Sequence, residues 1–281
     1  MITSPALLDD SADVLQELLD RAGPGVKRRL SDLLIRRAAG GAVHLTAAAT
    51  APGVDDPLLY TAYRDVLPPR QLAQTVWFAD LVVYQPGDLP GGELHRSIGH
   101  WNTPSQLEVF QCLTGRILMI TAWRAAMGDP IVRLQVCTAG ELCAVPFGAW
   151  HLTCVLDGPA AVFNIYTDLP HRDHGAGQHV SPSGAIHEVA KYAAGEPVEL
   201  TAVRASSGFM VMGSERGLSV WGTGEPGAAP AWLPPLLAGR DLPQFYAAAT
   251  DTELDRLRVA AQVHLPSSAP TGRPGTRVHG C

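Results

Sequence analysis

The chain has 281 residues, enough for one large domain with sizeable extensions and a substantial core, so folding requires neither disulfide nor structural metal. Its formal net charge is −6, from 21 basic and 27 acidic residues, and no long Lys/Arg run occurs, which argues against nucleic acid as a partner. Five cysteines, with no C-x2-C pair, fit no secreted disulfide framework, and four of them fall in strand-like runs as small buried hydrophobes.

The N-terminus lacks the charged-then-apolar order of a signal peptide, and no apolar run approaches membrane-spanning length. The expectation is a cytoplasmic protein with no membrane partner. Val14, Leu15, Leu18 and Leu19 recur at helical spacing after Ser11, and Gly23-Pro24-Gly25 stops that helix. A second helix is expected from Val26 to Ala39, ending at Gly40-Gly41, and residues 1–55 read as a helical extension.

From Leu59 the texture changes to short β-branched and aromatic runs punctuated by Gly and Pro. Residues 75–84, 108–113, 116–123, 131–136, 141–145 and 161–167 are expected strands, which points to a sandwich or barrel over 56–192. Residues 208–213 and 218–222 predict an additional hairpin within 193–224. A Gly/Pro/Ala-rich linker follows, over 222–235. Thr250-Asp-Thr-Glu253 is a capping-box sequence that places a last helix near 250–262, closing a segment of linker and helix over 225–265. The tail over 266–281 reads as disordered.

Residues two apart in a strand share a face, so His100 and Asn102 are expected to point the same way, with Glu108 on the next strand. His151 follows the tight turn Pro146-Phe-Gly148. Two imidazoles and a carboxylate suit one divalent ion, of Fe, Mn, Ni, Co or Zn, and three protein ligands leave positions open for chemistry. Asn102 reads two ways, as a neutral oxygen ligand or as the first residue of an Asn-Thr-Pro turn. Trp101, Phe110 and Trp150 read either as pocket lining or as core. His171, His174, His179 and His187 fit no metal signature; His174 is the candidate rim residue among them.

These blocks resemble the paired motifs of the cupin superfamily. The first, G-x5-H-x-H-x(3,4)-E-x6-G, is matched in part, by His100, Glu108 and Gly115, with Asn102 in place of the second histidine. The second, G-x5-P-x-G-x2-H-x3-N, is met by Gly140, Pro146, Gly148 and His151, with Val155 in place of the asparagine. The resemblance implies an all-β core, a jelly-roll barrel with a metal in its mouth, flanked by helical extensions.

The stretch from Tyr63-Arg64-Asp65 through Glu93, Arg96-Ser97-Ile98-Gly99-His100-Trp101-Asn102, Glu108-Val109-Phe110 and Trp150-His151 is similar to the archaeal, cupin-type glucose-6-phosphate isomerases. That likeness covers residues 59–192. Val82 stands where that family has a threonine at the phosphate, and Ser97 where it has the next one, which argues against glucose 6-phosphate itself. The implied activity is isomerisation of a small polar hydroxy-carbonyl compound through His100, Asn102, Glu108 and His151 at the metal. Glu108, Gln106 or His95 would move the proton, and Ser97, Trp101, Phe110, Trp150 and His174 would meet substrate. Two alternatives stay open: a non-haem Fe(II) oxygenase using two histidines and one carboxylate, and a metal-free cupin that binds or shapes a small molecule. A homodimer is expected by analogy.

Overall fold

In the computed structural model, residues 6–38, 45–73, 75–102, 105–124, 130–168, 200–206, 208–213, 219–222 and 230–265 are described. Helix α1 (Ala6–Arg21) leads into strand β1 (Val26–Arg29) and helix α2 (Leu30–Ala38). Then come β2 (Leu58–Leu72), β3 (Thr75–Tyr84), the short β4 (Asp88–Leu89), β5 (Glu93–Leu94) and β6 (His100–Trp101). The long strands β7 (Glu108–Arg124) and β10 (Trp150–Asp168) bracket β8 (Pro130–Thr138) and β9 (Leu142–Val145). The chain finishes with β11 (Leu200–Ala205), β12 (Gly208–Gly213), β13 (Ser219–Gly222) and three helices: α3 (Leu233–Leu237), α4 (Leu242–Ala248) and α5 (Asp251–His264). An all-β core with helices at both ends is what the sequence led us to expect.

Strand pairing among the described residues is antiparallel. One sheet runs β1-β2-β3-β10-β7-β8, with β6 laid against β10 and β9 against β7; a second runs β13-β12-β11-β5-β4. Side chains alternate across β7 and β10, and the faces differ in what covers them. Phe110, Cys112, Ile117, Met119, Val155, Ala160 and Val162 pack together on the face that also carries Glu108 and His151. On the opposite face, one half of the sheet is covered by the C-terminal helices through Leu233, Phe245, Leu254 and Leu257, packed with Trp77, Val109, Phe163 and Ile165. The other half is covered by the second sheet, with Leu118, Leu152 and Cys154 meeting Leu200, Phe209 and Val211.

Buried polar groups tie the sheets together. Glu93 accepts from the Thr46 backbone N–H at 2.9 Å and from the Thr201 hydroxyl, and lies 3.9 Å from the Arg96 guanidinium. Arg96, fully buried, donates to the carbonyls of Ser97, Ile98 and Leu200. The predicted hairpin is thus an integral part of the second sheet, joined to the core through β11, where Val203 pairs with Glu93.

Several expectations are corrected. The second helix does not start at Val26: Val26–Arg29 pairs with Arg28 opposite Tyr60 on β2, and α2 begins only at Leu30. The edge of β2 captures those residues, and Gly25 makes the approach feasible, since a Cβ there would lie 2.4 Å from Thr61. The runs 108–113 and 116–123 form one strand, and His151 lies inside β10, which starts at Trp150, eleven residues before the predicted strand. The stretch expected to be linker holds α3, with Leu233 and Leu237 buried, and α4 follows it; Asp241 and Gln244 form a capping box there. The last helix lies where its capping sequence placed it, with Thr250 and Glu253 bonded reciprocally. The tail from 266 onward lies outside the described residues, as do 169–199 and His171, His174, His179 and His187 within them. No helix among the described residues is long and apolar enough to cross a membrane.

Candidate metal centre

The two histidines are direct cross-strand partners. In the β6–β10 ladder His100 stands opposite His151, so both side chains leave the sheet on the same side. Their ring centroids are 4.1 Å apart at an interplanar angle of 66°. Gly99 takes φ 76°, and a Cβ there would lie 2.7 Å from the Trp150 ring, so the tight approach of β6 to β10 requires glycine. The turn of the second motif closes from the Ala149 N–H to the Pro146 carbonyl at 3.1 Å, and the Asn102 N–H bonds the Ala149 carbonyl at 2.9 Å. Both motifs are therefore stitched to each other by main chain.

Glu108, the first residue of β7, completes the group. Its Oε2 lies 3.4 Å from His151 Nε2 and 3.7 Å from His100 Nε2. Two ligand atoms each about 2.1 Å from one ion stand roughly 3 Å apart at a right angle and about 3.4 Å apart at the tetrahedral angle. One ligand atom from each of the three residues falls within 4.8 Å of the others, so His100, Glu108 and His151 can hold a metal with small adjustments. Glu108 and His151 are almost closed to solvent, whereas the His100 side chain is 29% exposed, which gives the group one open side.

The local electrostatics suit a cation. Among the described residues, none hydrogen-bonds the buried Glu108 Oε2 or either amide atom of the buried Asn102. Such groups are costly unless something satisfies them, and an ion with its bound oxygens would. Burial works to raise the Glu108 pKa, but the facing imidazole of His151, then His100 and Asn102, outweigh it and leave the carboxylate below its usual range. Burial, reinforced by the neighbouring His100, pushes His151 down to about 3, so its imidazole is neutral and its lone pair available at neutral pH. Among the described residues, none hydrogen-bonds His151 Nδ1.

The other residues singled out in the sequence fall in different places. Asn102 is fully buried beside the group, and the Thr103-Pro104 part of its turn sequence lies outside the described residues. Phe110 packs edge-on to His151 at 5.4 Å. Trp150 faces the opposite side of β10, inside the core against the second sheet, and so does not line the site. Ser97 is half-buried and its hydroxyl accepts from the Thr153 backbone N–H at 3.1 Å. His95 is buried outside the three-residue group, its Nδ1 set on the Gln85 carbonyl at 3.1 Å and its ring against Gly87. Gln106 is partly buried two residues ahead of Glu108, and the Trp101 side chain lies outside what is described.

Sequence reasoning passed over Asn164 and Asp80. Asn164 Nδ2 donates to Glu108 Oε1 at 2.9 Å in a buried setting. Asp80, fully buried opposite Asn164 on β3, accepts from the Arg64 guanidinium and from the Asp65 N–H. Burial pushes the Asp80 carboxyl up against the pull of Arg64. Alternation along the 161–167 run, once its inward face is known, was the signal available for Asn164.

The four described cysteines are buried free thiols. Burial pushes Cys112, Cys143 and Cys154 up to about 12, so none is a thiolate at neutral pH. A cavity of about 960 Å³ lies elsewhere, between the end of β2–β3 and α5, lined among others by Gln71, Phe147, Asp251 and Arg258; no residue of the metal group lines it.

No protein-family profile matches the chain, and no curated protein matches it. Solved structures that align with part of the chain include an oxalate oxidase in complex with glycolate, at 14% identity and TM-score 0.31, over 46% of this chain and 58% of that one. An oxalate decarboxylase of Bacillus subtilis aligns at 15% identity and TM-score 0.30, over 47% of this chain and 33% of that one. Peruvianin-I, a cysteine peptidase from Thevetia peruviana latex, aligns at 15% identity and TM-score 0.31, over 46% and 72%. The oxalate enzymes are thus spanned over between a third and about three fifths of their length. Likenesses this distant carry no statement about this chain's chemistry.

Proposed function

We propose that this protein is a metal-dependent enzyme of the cupin type, isomerase-like, acting on a small polar hydroxy-carbonyl compound. The observation that carries the reading is the convergence of His100, Glu108 and His151 on one open-sided point, with the Glu108 Oε2 and the Asn102 amide buried and unpartnered beside it. The residues brought together are those at the ligand positions of the two cupin motifs.

A divalent ion held there supplies Lewis acidity toward the carbonyl and hydroxyl oxygens of a substrate. The chain's own part is to present two imidazole Nε2 atoms and one carboxylate oxygen, with His100 on the exposed side. The Asn102 amide, buried next to Glu108, helps keep that carboxylate ionised. Glu108, held as a low-pKa carboxylate between two histidines, acts as ligand; as a base it is weak, and Gln106, an amide, cannot take its place. Phe110 closes the site beneath His151 and keeps water from its far side.

A second reading is favoured by one feature. Asn102 stands where the motif has a histidine, so the strong ligands reduce to two imidazoles and one carboxylate, the donor set of non-haem Fe(II) oxygenases. Metal analysis of the purified protein, followed by chelation and reloading with Fe(II), Mn(II), Ni(II), Co(II) and Zn(II), separates the readings. Isomerisation of hydroxy-carbonyl substrates restored by several metals without oxygen uptake supports the first. Oxygen uptake restored by Fe(II) alone replaces it with the second, and turnover unaffected by chelation overturns both in favour of a metal-free cupin. Pairing of two copies through the barrel belongs to the same reading and is checked by light scattering.

A further inference from the structure

We propose that Asn164 is a positioning residue that makes Glu108 a one-oxygen ligand, holding Oε1 away from the ion so that Oε2 alone faces the histidines. This rests on the metal-centre reading above and extends it to a residue outside both motifs.

The register places it. Along β10, Ala160, Val162 and Asn164 alternate onto the face that carries the metal group, the first two packing in the core there. Asn164 stands opposite Phe110 on β7, and Tyr166 opposite Glu108, so Asn164 is the diagonal neighbour of Glu108 across the ladder. An ionised carboxylate only accepts, so the contact at 2.9 Å is the Asn164 Nδ2–H donating to Oε1. Both side chains are buried, Asn164 at 5% and Glu108 at 3% exposure, and the bond is charge-assisted in a poorly solvated setting.

The two carboxylate oxygens are therefore unequal. Oε1 is engaged, while Oε2 has no hydrogen-bond partner and lies 3.4 and 3.7 Å from the two Nε2 atoms. For both oxygens to bind one ion, the carboxylate would have to rotate off Asn164 and break that bond. The consequence is a position left open at the centre for a substrate oxygen. Asn164 stands on β10 with His151 and on the neighbouring strand to Glu108, so it also couples the aim of the carboxylate to the sheet that carries a histidine.

Co(II) titration of the full-length protein, read by its visible absorption and by calorimetry, tests this. Asn164→Ala is expected to weaken Co(II) about 10–100-fold, the usual effect of removing an outer partner of a ligand, and to change the band intensities as the carboxylate rotates to use both oxygens. Asn164→Leu, which fills the same space without a donor, is expected to do the same and serves if the alanine variant melts early. Wild-type affinity and an unchanged spectrum in either folded variant overturn the role of Asn164. Absence of Co(II) binding by the wild-type protein itself, or binding indifferent to loss of His151, overturns the metal-centre reading instead.

Discussion

At the scale of single residues, the candidate centre combines groups that are individually unfavourable to bury. A carboxylate, two imidazoles and an amide lie within contact of each other, and several of their atoms have no partner. Their pKa displacements give a pH dependence with a definite sign. His151 is lowered to about 3 from an unfolded value near 6.5, so the unfolded chain binds the extra proton first, and stability falls as pH drops from about 6.5 toward 3. Glu108 is also lowered, so its stabilisation is present above the ordinary carboxylate range and is lost as pH falls below it. Denaturant melts of the metal-free protein at stepped pH are expected to show a progressive loss below about pH 6.5, and Glu108→Gln should remove only the lower part of it. Asn102→His supplies the missing imidazole beside the ion and is expected to tighten Co(II) binding at least tenfold; calorimetry showing no change would mean that residue 102 does not reach the metal.

At the scale of elements, backbone conformations allowed by particular residues place the site. Gly115 takes φ 75°, and a Cβ there would meet the Pro159 carbonyl at 2.5 Å, where β7 passes the bend of β10. Gly115→Ala is expected to destabilise the fold by at least about 1–3 kcal/mol, measured as a lowered denaturation midpoint with an unchanged slope. Helix α5 begins at a reciprocal capping box, with Thr250 Oγ1 accepting from the Glu253 N–H at 3.2 Å and Glu253 Oε2 accepting from the Thr250 N–H at 2.7 Å. Thr250→Ala should lower stability by about 0.5–2 kcal/mol and leave Co(II) affinity as in the wild type, because α5 packs on the face opposite the centre. The capping signal was legible in the sequence because it is local. The strand at Val26–Arg29 was not, because four residues with helical neighbours became a strand only through the free edge of β2.

At the scale of the whole molecule, the second sheet packs on the first through an apolar layer, and a buried charge ties it to the segments around it. Glu93 joins the segment before β2 through the Thr46 N–H, β11 through Thr201, and the Arg96 guanidinium in its own loop. Glu93→Ala leaves Arg96 buried without its carboxylate and is expected to cost about 3–5 kcal/mol, read from denaturant unfolding. The additional hairpin expected within 193–224 forms part of that second sheet and shares the apolar layer between the sheets.

The part of the fold legible before any strand pairing is local. Gly, His, Glu, Pro and Gly at fixed intervals specify strand, turn and the residue types of a metal-binding set, and local caps and alternation place most of the strands. Only the tertiary structure decided which of the flanking residues share the site. Side-chain direction follows the register of partner strands, and one residue of register reverses every face. That is why Trp150, next to a ligand in sequence, points into the core, and His95 turns to the Gln85 carbonyl. It is also why Asn164, 56 residues from Glu108, is the side chain that holds its carboxylate.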